Sequence, residues 1–359
     1  MKENGSAAAA RVTLYDWLRL VATIYVVLGH STYLSIHTFY GGVDYTLPAD
    51  LSPAYHSLLL TLYRYIPDYV YAFHMPLFFA LSGAVLAIRP ADRLGPFLRA
   101  KVRRLLIPYF LFGWLYMLPV KYAGGFYDPA GLKSACLGLL IGRDSGHLWF
   151  LPALFWCMLV FVLLQKGLQK LKLPGAPALL LVTGALQFGV TRLVAVDPLL
   201  LKTGLGYIFW FALGYAFELC VRKRLTPSRK LLLLAFALLT VFNGVSFKLH
   251  LLNSFFMILL GSVHTLLLSY LLLGAGERLV RTRGWEVLIR SLFSVYILHD
   301  PLEYLVLRFA FSHRVLQSGA GCYLYFGLRS VGIFALCVLL SELMRSIKCR
   351  VKRPAKKGV

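Results

Sequence analysis

Residues 69–88 read YVYAFHMPLFFALSGAVLAI, and residues 89–104, which follow at once, read RPADRLGPFLRAKVRR. The first stretch contains no Asp, Glu, Lys or Arg. At 1.5 Å per residue a helix of that length crosses about 30 Å of hydrocarbon. The second stretch carries Arg89, Arg93, Arg99, Lys101, Arg103 and Arg104. Loops rich in Lys and Arg stay in the cytoplasm, so this pair reads as a membrane-spanning helix that ends inside the cell.

The same reading extends in both directions. Apolar segments near 17–36, 105–122, 148–165, 177–195, 204–220, 231–247, 254–273, 288–311 and 320–342 bring the expected number of helices to ten. Basic loops alternate along the chain: Lys166, Lys170 and Lys172, then Arg222, Lys223, Arg224, Arg229 and Lys230, then Arg278, Arg281 and Arg283. The longer stretch 37–68 has only Arg64, and the other intervening loops carry one or two basic residues each. A missed helix would invert that alternation from its position onward, so the pattern predicts ten spans with both termini cytoplasmic. The expected class is an all-α, polytopic integral membrane protein. It divides into a cytoplasmic N-terminal segment (1–15), a transmembrane domain (16–343) and a basic cytoplasmic tail (344–359), which reads as an anchor on anionic lipid.

Composition agrees with lipid as the main solvent. Hydrophobic residues make up 59% of 359 and charged residues 15%, with a mean hydropathy of +0.70, more apolar sequence than one water-soluble core absorbs. The net charge of +23 lies between apolar segments and not on a soluble module, which argues against nucleic acid as a partner. The six cysteines show no metal-ligand spacing, and no two histidines lie at helical ligand spacing, so no metal is expected.

Ionisable side chains inside a bilayer cost a few kcal/mol each and are functional candidates by default. The first helix has Asp16 and Arg19 at its inner end and His30 in its outer half. Fourteen residues at 1.5 Å each separate Asp16 from His30 by about 21 Å, too far for one to orient the other. Asp16 and Arg19, three apart, suit a salt bridge with each other at the cytoplasmic mouth as well as they suit a substrate contact. The second helix contributes His74, with Ser82 and Gly83 nearer the inside. His147 and Trp149 open the fourth helix at its outer end. The ninth places His299, Asp300 and Glu303 past its midpoint, with His299 and Glu303 on one face. Four histidines and two carboxylates therefore fall at similar expected depth. A buried histidine beside a carboxylate that fixes its tautomer is the usual kit for activating a hydroxyl, and a hydrogen-bonded packing role is the competing reading for His74 and His147. The basic run with Arg99, Arg103 and Arg104 reads either as an anchor on the inner face or as a phosphate site.

These landmarks, in order, resemble the membrane-bound acyltransferase family 3. Asp16-Trp17-Leu18-Arg19 followed by Val26-Val27-Leu28-Gly29-His30 is similar to that family's first-helix signature. Phe73-His74-Met75-Pro76-Leu77-Phe78-Phe79 with Ser82-Gly83 is similar to its second. The basic run before Pro108, the stretch His147-Leu148-Trp149-Phe150-Leu151, and Ser294-Val295-Tyr296-Ile297-Leu298-His299 with Pro301 complete the set. The resemblance implies that His30 is the catalytic histidine and that an acyl-CoA, most often acetyl-CoA, serves as co-substrate from the cytoplasmic side. It also implies that the inner Arg residues matter and that the location is a bacterial plasma membrane. The expected acceptor is a hydroxyl on a glycan or a small molecule. Glu303 is expected from its position to partner His30, with Asp300 the other choice. A transporter or flippase for a polar lipid-linked or sugar solute is the rival reading, since carboxylates and histidines in membranes also serve proton relays.

Overall fold

The structure, a computed structural model, describes residues 12–33, 35–44, 58–173, 175–225, 227–310 and 318–351. Among these the chain is almost wholly helical, apart from one short antiparallel hairpin of β1 (Ser35–His37) and β2 (Gly42–Asp44), in register Ile36 to Val43. The first part of the chain comprises α1 (Thr13–His30), α2 (Leu58–Ile88) and α3 (Leu94–Lys101), then α4 (Ile107–Phe112), α5 (Leu118–Ala123) and α6 (Pro129–Gly138). Next come α7 (Phe150–Lys170), α8 (Gly175–Leu193), α9 (Leu201–Leu205), α10 (Ile208–Cys220), α11 (Arg229–Leu249) and α12 (Ser254–Ala275). The chain closes with α13 (Glu277–Val280), α14 (Arg283–Ala310), α15 (Gly319–Gly327) and α16 (Ile333–Val351).

Seven helical stretches among the described residues are long and apolar enough to cross a bilayer, or eight if Pro198–Leu205 and Ile208–Arg224, bent by 54°, form one span. Length and composition therefore do not reach the expected ten. A helix is present at each of the ten expected positions, and the two that fall short are α1 and α14. The reason is chemical. These are the helices interrupted by Asp16 and Arg19 and by Arg290, Asp300 and Glu303, which lower their apolar content. The first helix is also displaced from the expected 17–36. It stops at His30, where Ser31 Oγ and Thr32 Oγ1 donate to the carbonyls of Leu28 (2.8 Å) and Gly29 (2.6 Å) and divert the chain. The basic end of the chain continues helical through Val351, and residues 352–359 lie outside the described part.

The chain divides into two compact units. The first comprises Met1–Ala22, Tyr71–Leu115 and Lys133–Ala275. Its tightest crossing joins α2 to α10. A Cβ on Gly83 would lie 1.9 Å from the carbonyl oxygen of Phe211, and one on Gly214 would lie 1.8 Å from that of Ala80. Helices without a hydrophobic drive between them gain most from such close backbone approach, which puts glycine at both positions. Phe79, Phe161 and Phe211 are buried beside this crossing, with Phe79 stacked on Tyr207 at 4.6 Å and Phe161 4.9 Å from Phe211.

The second unit comprises Thr23–Val70, Tyr116–Leu132 and Gly276–Val359. Its core gathers one face of α14 (Leu292, Val295, Leu298) with Ile333 and Cys337 of α16. α5 ends in a turn that closes two carbonyls: the Phe126 amide donates to Lys121 (2.9 Å) and the Gly125 amide to Tyr122 (3.0 Å). Gly125 has φ +78°, the left-handed conformation that this helix end requires. The hairpin docks on the same turn through the Gly42 amide to the Phe126 carbonyl, 2.8 Å.

Candidate active site

α1 carries His30 to its last position and α14 brings up Asp300 from the far end of the sequence. His30 Nδ1 lies 2.8 Å from Asp300 Oδ1, with the His30 side chain 13% exposed and the Asp300 side chain 3%. The other carboxylate oxygen, Oδ2, is 3.0 Å from Nζ of Lys121 on α5, whose side chain is 2% exposed. The ammonium also lies over the rings of Phe126 (4.8 Å) and Tyr304 (4.7 Å). Since Asp300 accepts from a buried cation, it acts as a carboxylate, and His30 Nδ1 is then the donor to it. In that tautomer the basic lone pair of the imidazole sits on Nε2.

One turn further along α14, Glu303 forms a second buried ion pair. Arg329 Nε donates to Glu303 Oε2 at 2.8 Å. The same guanidinium donates through Nη2 to the carbonyls of Tyr33 (2.8 Å) and His30 (3.3 Å), the end of α1, where a cation meets the negative pole of the helix. This corrects the expectation for Glu303: the carboxylate in contact with the His30 ring is Asp300, and Glu303 pairs with Arg329, which reaches the His30 carbonyl. The expectation failed because one-dimensional depth cannot tell adjacent faces of a helix apart. Asp300 and Glu303 differ by one turn in height, and only the cations opposite them decide which meets His30.

His299 stands beside the pair. Its ring is edge-on to that of His30 at 4.8 Å, and its Nδ1 donates to the carbonyls of Val295 and Tyr296, both at 2.9 Å. Pro301 lies inside the same helix and removes one backbone donor in the turn that holds His299, Asp300 and Glu303. Tyr116, in a π turn just before α5, donates to the Leu298 carbonyl at 2.7 Å and ties Lys121's segment to that turn.

The remaining sequence candidates belong to the other unit. Asp16 is buried and its Oδ1 lies 3.9 Å from Arg19 Nη1, the pairing their spacing allows. Beside them Tyr15 donates to Glu218 at 2.5 Å, and Glu218 is paired with Arg222. His74 is buried with its ring edge-on to Tyr71 at 4.8 Å. Ser82 is half-buried next to the Gly83 crossing. His147 is buried in a 3-10 turn (Gly146–Trp149), and Trp149 lies 5.8 Å from the Tyr207 ring. Arg99, Arg103 and Arg104 are exposed, the last two in a π turn (Val102–Leu106).

Two side chains of this cluster, Lys121 and Arg329, are not among the residues expected from the sequence. Both are single basic residues within apolar segments, and the rule applied to the histidines and carboxylates would have selected them too. In sequence, Lys121 lies at the end of the span 105–122 and Arg329 within the span 320–342.

The sequence model of a family described as an acyltransferase domain matches residues 13–342, nearly the whole chain and all of the elements that carry the site. No curated protein and no solved structure matches the chain.

Proposed function

The chain belongs to acyltransferase family 3, and from that premise we propose that it transfers an acyl group, acetyl in the first instance, from acyl-CoA to a hydroxyl of a cell-envelope glycan or related acceptor. The observation that carries this reading is the 2.8 Å contact between His30 Nδ1 and Asp300 Oδ1. It fixes the tautomer that a general base needs, and it supplies a carboxylate to stabilise the imidazolium once formed. In the proposed step His30 Nε2 takes the proton of the acceptor hydroxyl as its oxygen attacks the thioester carbonyl. The tetrahedral adduct collapses by breaking the carbon–sulfur bond, and the imidazolium returns the proton to the departing thiolate. The products are an ester and free CoA thiol.

The donor site in this reading is the exposed run Arg99, Arg103 and Arg104, where guanidinium groups suit the phosphates of CoA. Loop charge supports a cytoplasmic position for that run and for both termini. We further propose that α1 and α14 cross the membrane despite their ionisable residues. Added to the eight apolar spans they restore ten, and a multi-pass bacterial plasma-membrane location follows from the family resemblance. The two polar helices are the ones that hold the site, as expected if their ionisable groups face the protein interior.

The test uses membrane vesicles containing the full chain and acetyl-CoA labelled in the acetyl group, with label read in envelope material. Transfer that disappears in His30→Ala supports the proposal. Unchanged transfer in that variant rules out His30 as the base, and no CoA consumption by the wild-type chain returns the molecule to the transport reading.

A further inference from the structure

The site contains a buried cation that the acyl-transfer step above does not use. The Lys121 side chain is 2% exposed and held between Asp300 Oδ2 and the rings of Phe126 and Tyr304. Resting on the acyl-transfer reading, we propose that Lys121 is a positioning residue that keeps His30 a neutral base by balancing the charge of Asp300.

The argument is one of charge counting in a poorly solvated space. Lys121 ammonium, Asp300 carboxylate and neutral His30 imidazole sum to zero. Without the ammonium, the form of the site competent as a base carries a net negative charge, which burial penalises. The site relieves that penalty by retaining one more proton, shared between His30 and Asp300 as a coupled pair. Either placement disables the base. An imidazolium has no lone pair to offer, and a protonated Asp300 no longer fixes the tautomer of the ring.

The other charged and titratable groups around the pair hold contacts of their own. From the π turn between α15 and α16 (Leu328–Gly332), Arg329 is committed to Glu303 and to the carbonyls of His30 and Tyr33. On α14, the His299 Nδ1–H is given to two backbone carbonyls and Glu303 is matched by Arg329. Ahead of α5, Tyr116 donates its hydroxyl to the Leu298 carbonyl. Tyr304, beside Lys121, and Tyr33, edge-on to the His30 ring at 5.3 Å, contribute hydroxyls and bring no positive charge. Lys121 is the buried cation in direct contact with Asp300, at 3.0 Å from Oδ2.

The build of α5 fits a fixed position for this ammonium. The turn after it returns Phe126 against the side chain of Lys121, and the hydrogen bond from Gly42 anchors that turn to the hairpin. A surface lysine holds its charge on a flexible stem, whereas this one is enclosed on the carboxylate side and on both aromatic faces.

The test is a pH–rate profile in vesicles containing the full chain, with labelled acetyl-CoA as the donor probe. It compares wild type with Lys121→Gln and Lys121→Arg. In Lys121→Gln the acid limb moves to higher pH by about one unit or more, the range for losing an adjacent opposite charge. On that limb turnover is down about tenfold for each unit moved, while KM for acetyl-CoA is unchanged. Lys121→Arg keeps the limb at its wild-type position even where its maximal rate is lower. Should Lys121→Gln not reach the membrane, Lys121→Met, which preserves the packing against both rings, is measured in its place. A neutral variant whose limb stays at the wild-type position overturns the proposal, as does an Arg variant whose limb moves as far as the neutral one. Wild-type vesicles that transfer no label would remove the acyl-transfer reading itself, a result distinct from an unmoved limb.

Discussion

Replacing Arg329 with Met exposes how the end of the first helix is held. The guanidinium is fully buried and has two tasks, the ion pair with Glu303 at 2.8 Å and the capping of the Tyr33 and His30 carbonyls. Its removal leaves a carboxylate 3% exposed with no cation, which for a broken buried pair costs about 3–5 kcal/mol. Each carbonyl that loses its donor and stays dry adds about 1–3 kcal/mol. Glu303→Gln in the same chain removes the stranded charge but not the carbonyl deficit. The double variant is therefore expected to recover at least about 2 kcal/mol relative to the sum of the single variants. The pair is imperfectly satisfied, since Glu303 Oε1 and Arg329 Nη1 have no hydrogen-bond partner among the described residues. This caps what the intact pair contributes but not what breaking it costs. The assay is reversible unfolding in mixed micelles, run on both single variants and the double. Additivity of the two single effects within about 0.5 kcal/mol would refute the coupling between these two side chains.

Asp300→Asn is expected to lower label transfer by about 10²–10⁴, because the amide no longer fixes the basic tautomer, while donor binding measured by equilibrium filtration is retained. Arg103→Gln with Arg104→Gln is expected to raise KM for acetyl-CoA and leave the melting temperature unchanged, both side chains being exposed; unaltered KM favours the anchoring reading. Gly83→Leu is expected to abolish the folded fraction in fluorescence-detected gel filtration, since even a Cβ there would meet the Phe211 carbonyl oxygen at 1.9 Å. Outside the membrane segments, bonds from Ser35 and His37 hold the Asp44 carboxyl below its ordinary value. A depressed carboxyl contributes order above its unfolded value and loses it as pH falls through the folded one. Hydrogen exchange at Ile36 and Val43 should therefore quicken below the usual carboxylate range, with global stability unmoved because the group is fully exposed.

Much of this architecture is legible in the sequence because lipid imposes a strong rule on segment length. The apolar spans at 69–88, 231–247 and 254–273 reappear as α2, α11 and α12, with ends shifted by a few residues or, for α2, extended toward the N-terminus. The rule weakens where function intervenes, and α1 and α14 carry too many ionisable groups to satisfy it. The stop at His30 depends on two hydroxyls bonding backward, a local choice that hydropathy does not register. Side-chain chemistry points to the candidates, and His30, His299 and Asp300 come together in the structure. Their pairing was not legible, because a partner from α5 and another from the turn before α16 decide which carboxylate faces which group. Lys121 shows the limit most clearly. In sequence it is one basic residue at the end of a span, and only three-dimensional contact makes it the counter-charge of Asp300.

The most direct test of acyl transfer through His30 is a stoichiometry. Vesicles containing the full chain receive labelled acetyl-CoA, and free CoA thiol and label in envelope material are counted together. Equal amounts of thiol released and acetyl transferred by the wild-type chain, with both lost in His30→Ala, is the predicted result. Label transfer that persists in His30→Ala, or thiol release without transfer in the wild type, would contradict it.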